Sequence, residues 1–167
     1  AAFNVALVML YFSTPIYKTT ANFVINPSRS LLADEDLAIV RGIEVLDRRT
    51  VVSTYEEVLS SDHLHQKVAQ AIDLARSDLA KYNISTVVLP DSNVLELSVE
   101  GPNPKAAAQL ANGIGQEAID FVNKTYLVYE ISPLDPATPP SRPINFSPVR
   151  DIALAVVFGG ILGSIVA

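Results

Sequence analysis

Hydrophobic and polar positions divide this chain into three parts. Residues 1–17, AAFNVALVMLYFSTPIY, and residues 152–167, IALAVVFGGILGSIVA, are apolar and uncharged, and every Lys, Arg, Asp and Glu falls between Lys18 and Asp151. That layout predicts two membrane-spanning helices around one water-exposed domain. A spanning helix needs about 20 apolar residues. The run from Ala1 to Phe12 is shorter, and the last run is unbroken up to Ala167. Both read as parts of longer helices, so the protein is expected to continue at each end. The first run has no basic leader and no small-residue cleavage site, which argues against a signal peptide.

Within the charged part the pattern predicts an α+β layer. Tyr17 to Ile25 reads as a strand ended by Asn26-Pro27-Ser28. From Asp34 to Leu59 the period is helical. Ile39, Ile43 and Leu46 form one stripe, and Val51, Val52, Tyr55, Val58 and Leu59 form a second after Arg48-Arg49-Thr50. Ser61-Asp62 offers a cap for a helix bearing Leu64, Val68, Ala71 and Ile72. Ile84–Leu89 and Val94–Val99 read as strands of one hairpin across Pro90-Asp91-Ser92-Asn93, with Leu95, Leu97 and Val99 facing inward and Glu96, Ser98 and Glu100 outward. Asn103 caps and Pro104 opens a helix to about Tyr126, whose inner face is Ala107, Ala111, Ile114, Ala118 and Val122. Leu127–Ile131 reads as a last strand.

Six of the eleven prolines lie between Ser132 and Pro148. Proline fixes φ and removes a backbone donor, so this stretch predicts a stiff, polyproline-like strap rather than a helix or central strand. The expected organisation is residues 1–15 as the end of a first transmembrane helix, 16–131 as the α+β domain, 132–148 as the strap and 149–167 as the beginning of a second transmembrane helix.

Composition narrows the chemistry. A net charge of −6, with no basic cluster beyond Arg48-Arg49, argues against a nucleic-acid surface. The chain has no cysteine, hence no disulfide frame, thiol nucleophile or Cys-based zinc site. Neither a phosphate-binding glycine loop nor a GxSxG elbow occurs. His63 and His65 sit two apart, a helical spacing that sends them to different faces, and both read as solvated residues at a helix start. Asp34-Glu35-Asp36 reads as acidic residues complementing a helix dipole, and Glu56-Glu57 as a solvated face. Asn83-Ile84-Ser85 and Asn123-Lys124-Thr125 fit the N-glycosylation pattern, which has meaning only in a glycosylating host. No catalytic, cofactor or metal site is predicted. The residues singled out are mechanical. Pro139, Pro140, Pro143 and Pro148 belong to the strap. Gly159 and Gly163 form a GxxxG that lets membrane helices pack closely, and Asn4 is a polar group expected to seek a partner in lipid.

The segments STPIYKTTANFVINP, TYEEVLSSDHLHQKVAQAI, VVLPDSNVLELSVEGPNPKAAAQLANGIGQEAIDFV and TPPSRPINFSPVRDIALAVVFGGILG, in this order, resemble the chain-length determinant family, the Wzz-type polysaccharide co-polymerases of bacterial inner membranes. The family's long helical extension is absent, which makes the chain look like the compact capsule and exopolysaccharide type. FSPVRD stands where a more basic sequence is usual. The resemblance implies a two-pass protein of the bacterial cytoplasmic membrane with an extracytoplasmic middle domain and both ends cytoplasmic. It implies a ring-like homo-oligomer that sets polysaccharide length together with an integral-membrane polymerase, with the lipid bilayer and polysaccharide as further partners. No nucleic acid, cofactor or enzymatic step is implied, although some members carry a cytoplasmic tyrosine kinase after the second helix. The alternative is the outer domain of a two-helix sensor. The proline strap weighs against it, because receptors often run a continuous helix from domain to membrane. A hydrolase has no candidate nucleophile or paired acids.

Overall fold

A computed structural model describes residues 14–27, 51–90, 92–126 and 129–145. Residues 1–13 of the first apolar end, all of the second, the stripe Ile39, Ile43 and Leu46, the acidic run Asp34-Glu35-Asp36, Arg48-Arg49, and Asn4, Pro148, Gly159 and Gly163 lie outside those residues. Among the described residues, no helix is long and apolar enough to cross a membrane.

The elements are strand β1 (Tyr17–Pro27), a helical stretch α1 (51–59), helix α2 (Asp62–Ala71), a short helix α3 (Arg76–Leu79), strands β2 (Asn83–Val88) and β3 (Val94–Gly101), helix α4 (Pro104–Thr125) and strand β4 (Tyr129–Asp135). The four strands form one antiparallel sheet in the order β2-β3-β1-β4. The α+β expectation is met, with the helices against one face of the sheet.

Register follows the period-2 pattern. Thr19, Ala21, Phe23 and Ile25 of β1 are buried, and Thr19, Ala21 and Phe23 stand opposite Val99, Leu97 and Leu95 of β3. A slip of one residue would turn this set toward water, so burial of one face specifies the pairing. The β2–β3 hairpin is as predicted, with Ile84, Thr86 and Val88 opposite Val99, Leu97 and Leu95. Ser98 keeps the face of Glu96, its hydroxyl 3.3 Å from Glu96 Oε1, and is buried there.

Helix α4 lies over β1, β3 and β4, with α2 also packed against it. Asn103 Oδ1 accepts from Lys105 N–H at 3.0 Å and Ala106 N–H at 3.2 Å, so the predicted cap is made. All five inner-face residues, Ala107, Ala111, Ile114, Ala118 and Val122, are fully buried. Gly113 and Gly115 let the helix approach both neighbours. A Cβ on Gly113 would stand 2.5 Å from Val68 Cγ1 of α2, and one on Gly115 would overlap the Phe23 ring of β1. Two residues turn an α-helix by about 200°, so these glycines serve opposite sides of it.

Three expectations change. Ser61 occupies the N-cap of α2 but its side chain makes no capping bond. The inward face of α2 is His65, Val68 and Ala69; Leu64 is half-buried and Ala71 exposed. His65 is therefore not solvated. Its Nε2 lies 2.7 Å from the Leu59 carbonyl. A carbonyl only accepts, so Nε2 carries the proton and satisfies a carbonyl left orphaned at the end of α1. His63 is exposed as expected. Finally, the last strand is Tyr129–Asp135 rather than ending at Ile131. The first residues of the proline-rich stretch join the sheet, and Pro133 pairs with Phe23 on an edge strand, where proline is tolerated.

Tyr55 closes the core at the far end of α4. Its hydroxyl donates to the Tyr129 carbonyl at 3.0 Å, and its ring stands 5.6 Å from that of Tyr126. Burial pushes this hydroxyl from the ordinary 10.0 up to about 12, with Tyr126 and Tyr129 adding to the effect. The folded state thus holds the proton more tightly than the unfolded chain. This contribution is complete below pH 10 and is lost as the pH rises toward 12. Stability followed by circular dichroism is expected to fall across that window. Tyr55→Phe should start lower, lacking the hydrogen bond, and lose less over the same window.

Candidate functional site

Among the described residues, no three His, Cys, Asp or Glu side chains are placed to hold a metal ion. An open groove of about 720 Å³ runs between the α1–α2 corner and α4, lined among others by Val58, Leu64, Lys67, Glu117 and Phe121. Its Lys67 and Glu117 form an exposed ion pair at 2.5 Å. That pair takes up the groove's most evident acid and base in each other, and the arrangement is not that of an activated nucleophile.

The more informative site is the proline strap. Residues 136–145 have no regular secondary structure, yet they are bound to the domain at three levels. At the first, Asn112 on α4 makes two bonds to Ala137: Asn112 Nδ2 donates to the Ala137 carbonyl at 2.9 Å, and Ala137 N–H donates to Asn112 Oδ1 at 2.8 Å. Ala137 is itself buried in the core cluster. At the second, Thr19 Oγ1 of β1 donates to the Thr138 carbonyl at 2.8 Å. At the third, Ile144 N–H donates to the Ile16 carbonyl at 2.7 Å. Asn145 clasps the same segment, accepting from Ile16 N–H at 2.9 Å and donating to the Thr14 carbonyl at 2.8 Å.

The strap thus continues past β4 along the start of β1. It lies on the domain and does not stand off it as a free spacer. The side-chain amides suit this task because each carries a donor and an acceptor and can mimic a strand neighbour. Each bond contributes about 0.5–1.5 kcal/mol net. Proline lowers the opposing cost by restricting the unfolded chain. Of the predicted strap residues, Pro139 is exposed while Pro140 and Pro143 are half-buried. Pro139, Pro140 and Pro143 all fall between the Asn112 and Asn145 contacts.

Sequence reasoning found the prolines and missed the groups that hold them. Asn112 carries a signal in retrospect: asparagine is a weak helix former, and it interrupts an alanine-rich run beside the buried face. Thr19 and Asn145 carry none, since their partners lie 119 and 129 or more residues away.

The consequence is geometric. Residues 14–16, which follow the first apolar run, and residues 144–145, which precede the second, are held side by side. The class of protein this defines is an α+β domain whose entering and leaving segments are clasped together at one end of the sheet.

The chain has relatives among known proteins. It is 26% identical over 171 residues to the capsular polysaccharide biosynthesis protein CpsC of Streptococcus agalactiae, covering 94% of this chain and 66% of that protein. It is 26% identical over 161 residues to the probable capsular polysaccharide biosynthesis protein YwqC of Bacillus subtilis, covering 95% and 63%. CpsC of Streptococcus pneumoniae is 27% identical over 152 residues, covering 83% and 66%. The chain spans about two thirds of the length of these relatives or slightly less. No protein-family model matches it. The chain is a distant homologue of these capsular polysaccharide biosynthesis proteins, in agreement with the resemblance to compact chain-length determinant co-polymerases carried by its motifs.

Proposed function

We propose that this protein takes part in surface polysaccharide biosynthesis as a non-enzymatic membrane regulator of chain length and assembly. It acts as a homo-oligomer together with an integral-membrane polymerase. The two apolar ends cross the bacterial cytoplasmic membrane, and the clasped α+β domain stands on the outer side. The observation that carries this reading is the clasp itself. Holding residues 14–16 against 144–145 brings together the segments that adjoin the two apolar runs, which supports a two-helix hairpin. Position of the domain is thereby coupled to position of the helices. In that hairpin Gly159 and Gly163 provide a surface for close helix packing, and Pro139, Pro140, Pro143 and Pro148 limit the looseness of the strap.

Two measurements test the proposal. Single cysteines at Ser92 and Ser141, introduced into a chain that has none, are expected to react with a membrane-impermeant thiol reagent in intact spheroplasts; protection of either rejects the topology. Deleting the gene is expected to alter the length distribution of the polysaccharide ladder, and Gly159→Leu with Gly163→Leu to shift it in part at wild-type expression. A ladder unchanged by deletion rejects the regulator and moves the two-helix sensor ahead.

A further inference from the structure

Charge is unevenly distributed along the sheet axis. The strand register puts Tyr17 opposite Gly101, and Asn83 opposite Glu100. One end of the domain, here called the base, therefore gathers the start of β1, the turn before β2, the start of α4 and the end of the strap. It carries Lys18, Lys81, Lys105 and Arg142. Of its acids, Glu100 lies 3.5 Å from Lys18 and Asp78 2.7 Å from Lys81, while Asp62 and Arg76 line one groove beside Tyr82 and Asn83. Lys105 and Arg142 are exposed and have no ion-pair partner among the described residues. Toward the opposite end the balance reverses, with Glu57, Asp120 and Glu130 among the exposed or half-exposed acids. The excess of cations at the base is thus local, in a chain of net charge −6.

The same end shows aliphatic surface. Ile16 is 38% exposed and Ile144 is 54% exposed. They are neighbours through the Ile144–Ile16 backbone bond, so both exposed side chains stand at this end of the domain. Both keep exposed surface among the described residues, and both lie within a few residues of the apolar runs. Unpaired cations around an aliphatic tip fit the boundary of an anionic bilayer, where the tip enters the acyl margin and the cations meet headgroup phosphates.

We propose that the base of the domain is a lipid-seating surface: Lys105 and Arg142 bind the phosphates of anionic phospholipid headgroups while Ile16 and Ile144 enter the interface. This rests on the topology proposed above, which brings the base to the membrane. Lipid is favoured over an anionic polysaccharide because a glycan supplies phosphate or carboxylate charge but no apolar medium for the isoleucines. Seating would hold the domain in one orientation on its two helices, and that orientation would respond to the lipid composition of the outer leaflet.

The test uses the full chain in proteoliposomes with a bimane label on a single cysteine at Ser141, beside Arg142, and quenching by a lipid carrying a shallow nitroxide. Quenching is expected to be stronger in vesicles containing phosphatidylglycerol than in phosphatidylcholine alone, and to weaken with salt. Lys105→Gln and Arg142→Gln should each lower the ratio of seated to unseated domain about fivefold in anionic vesicles. Ile144→Ser should reduce quenching in both lipids. A label at Ser92, on the turn at the other end of the hairpin, should stay unquenched throughout. Equal quenching of Ser141 in neutral and anionic vesicles at low salt would overturn the proposal, as would indifference to both charge substitutions. Failure of the thiol-labelling topology would overturn the functional reading along with this one. A correct topology with lipid-independent quenching would overturn this one alone.

Discussion

Gly115→Val is expected to destabilise the domain by about 3 kcal/mol, the upper range for overpacking a well-filled interior. A side chain at this position collides with the ring of Phe23, which is 4% exposed and belongs to an inner strand of the sheet. The ring is itself packed in the core cluster, so α4 must lift from the sheet. Because Ala107, Ala111, Ile114, Ala118 and Val122 are seated by the same approach, the strain spreads along the helix. Gly115→Ala separates the two contributions. Alanine gains about 1 kcal/mol of helix propensity over glycine, so its net cost should be smaller than that of valine but still positive. Phe23→Leu removes ring atoms from the collision. In a double-mutant cycle it should recover at least about 0.5 kcal/mol relative to the sum of single effects. Urea unfolding of the solubilised full chain, followed by far-ultraviolet circular dichroism, measures the parent and all four variants. A Gly115→Ala variant more stable than the parent would show that helix and sheet are not in this contact.

Asn112→Ala is expected to release the strap while leaving the sheet and α4 folded. The variant loses both bonds to Ala137 and leaves a part-buried N–H and carbonyl without these partners, at a cost of about 1–3 kcal/mol. The loss is local, since Asn112 lies outside the apolar seam of α4. The domain transition should therefore move little, while limited proteolysis between residues 136 and 145 should become markedly faster. Asn112→Asp separates the two halves of the clasp. It keeps an acceptor for Ala137 N–H but sets a carboxylate against the Ala137 carbonyl, and should open the strap about as much as alanine. Thr19→Val removes the neighbouring bond to Thr138 and should couple with Asn112→Ala, because both hold one short segment. On the proposed function, each opened variant should also broaden the polysaccharide length distribution at unchanged expression. A strap equally resistant to protease in parent and Asn112→Ala would show that the amide clasp does not hold it.

The helices and strands were readable where local chemistry decides them. Asn103-Pro104 specified the start of α4 because a cap acts within three residues. The five-residue face at helical spacing identified most of the buried side of α4, which Ala108, Leu110 and Gly115 complete. Leu95, Leu97 and Val99 did the same for β3. The reading was less reliable where two demands compete for one residue. His65 is polar and near a helix start, which reads as solvated, but the carbonyl at the end of α1 needed a donor and drew it inward. The strand after α4 was expected too early because prolines disfavour strands; Pro133 is admitted since β4 is an edge.

Sequence by itself determined the layout of one charged domain between two apolar ends, the α+β class, the β2–β3 hairpin and the presence of a stiff proline-rich stretch. These depend on periodicity, turn chemistry and proline's fixed φ, all of which act over a few residues. Only the tertiary structure decided the strand order, the collection of unpaired cations and exposed isoleucines at one end, and what the prolines lie against. The clasp joins Asn112 to Ala137, Thr19 to Thr138 and Asn145 to residues 14–16. Contacts of that span follow from how the chain closes on itself, because hydrogen bonds from a side-chain amide or hydroxyl depend on where the fold brings a backbone group within about 3 Å.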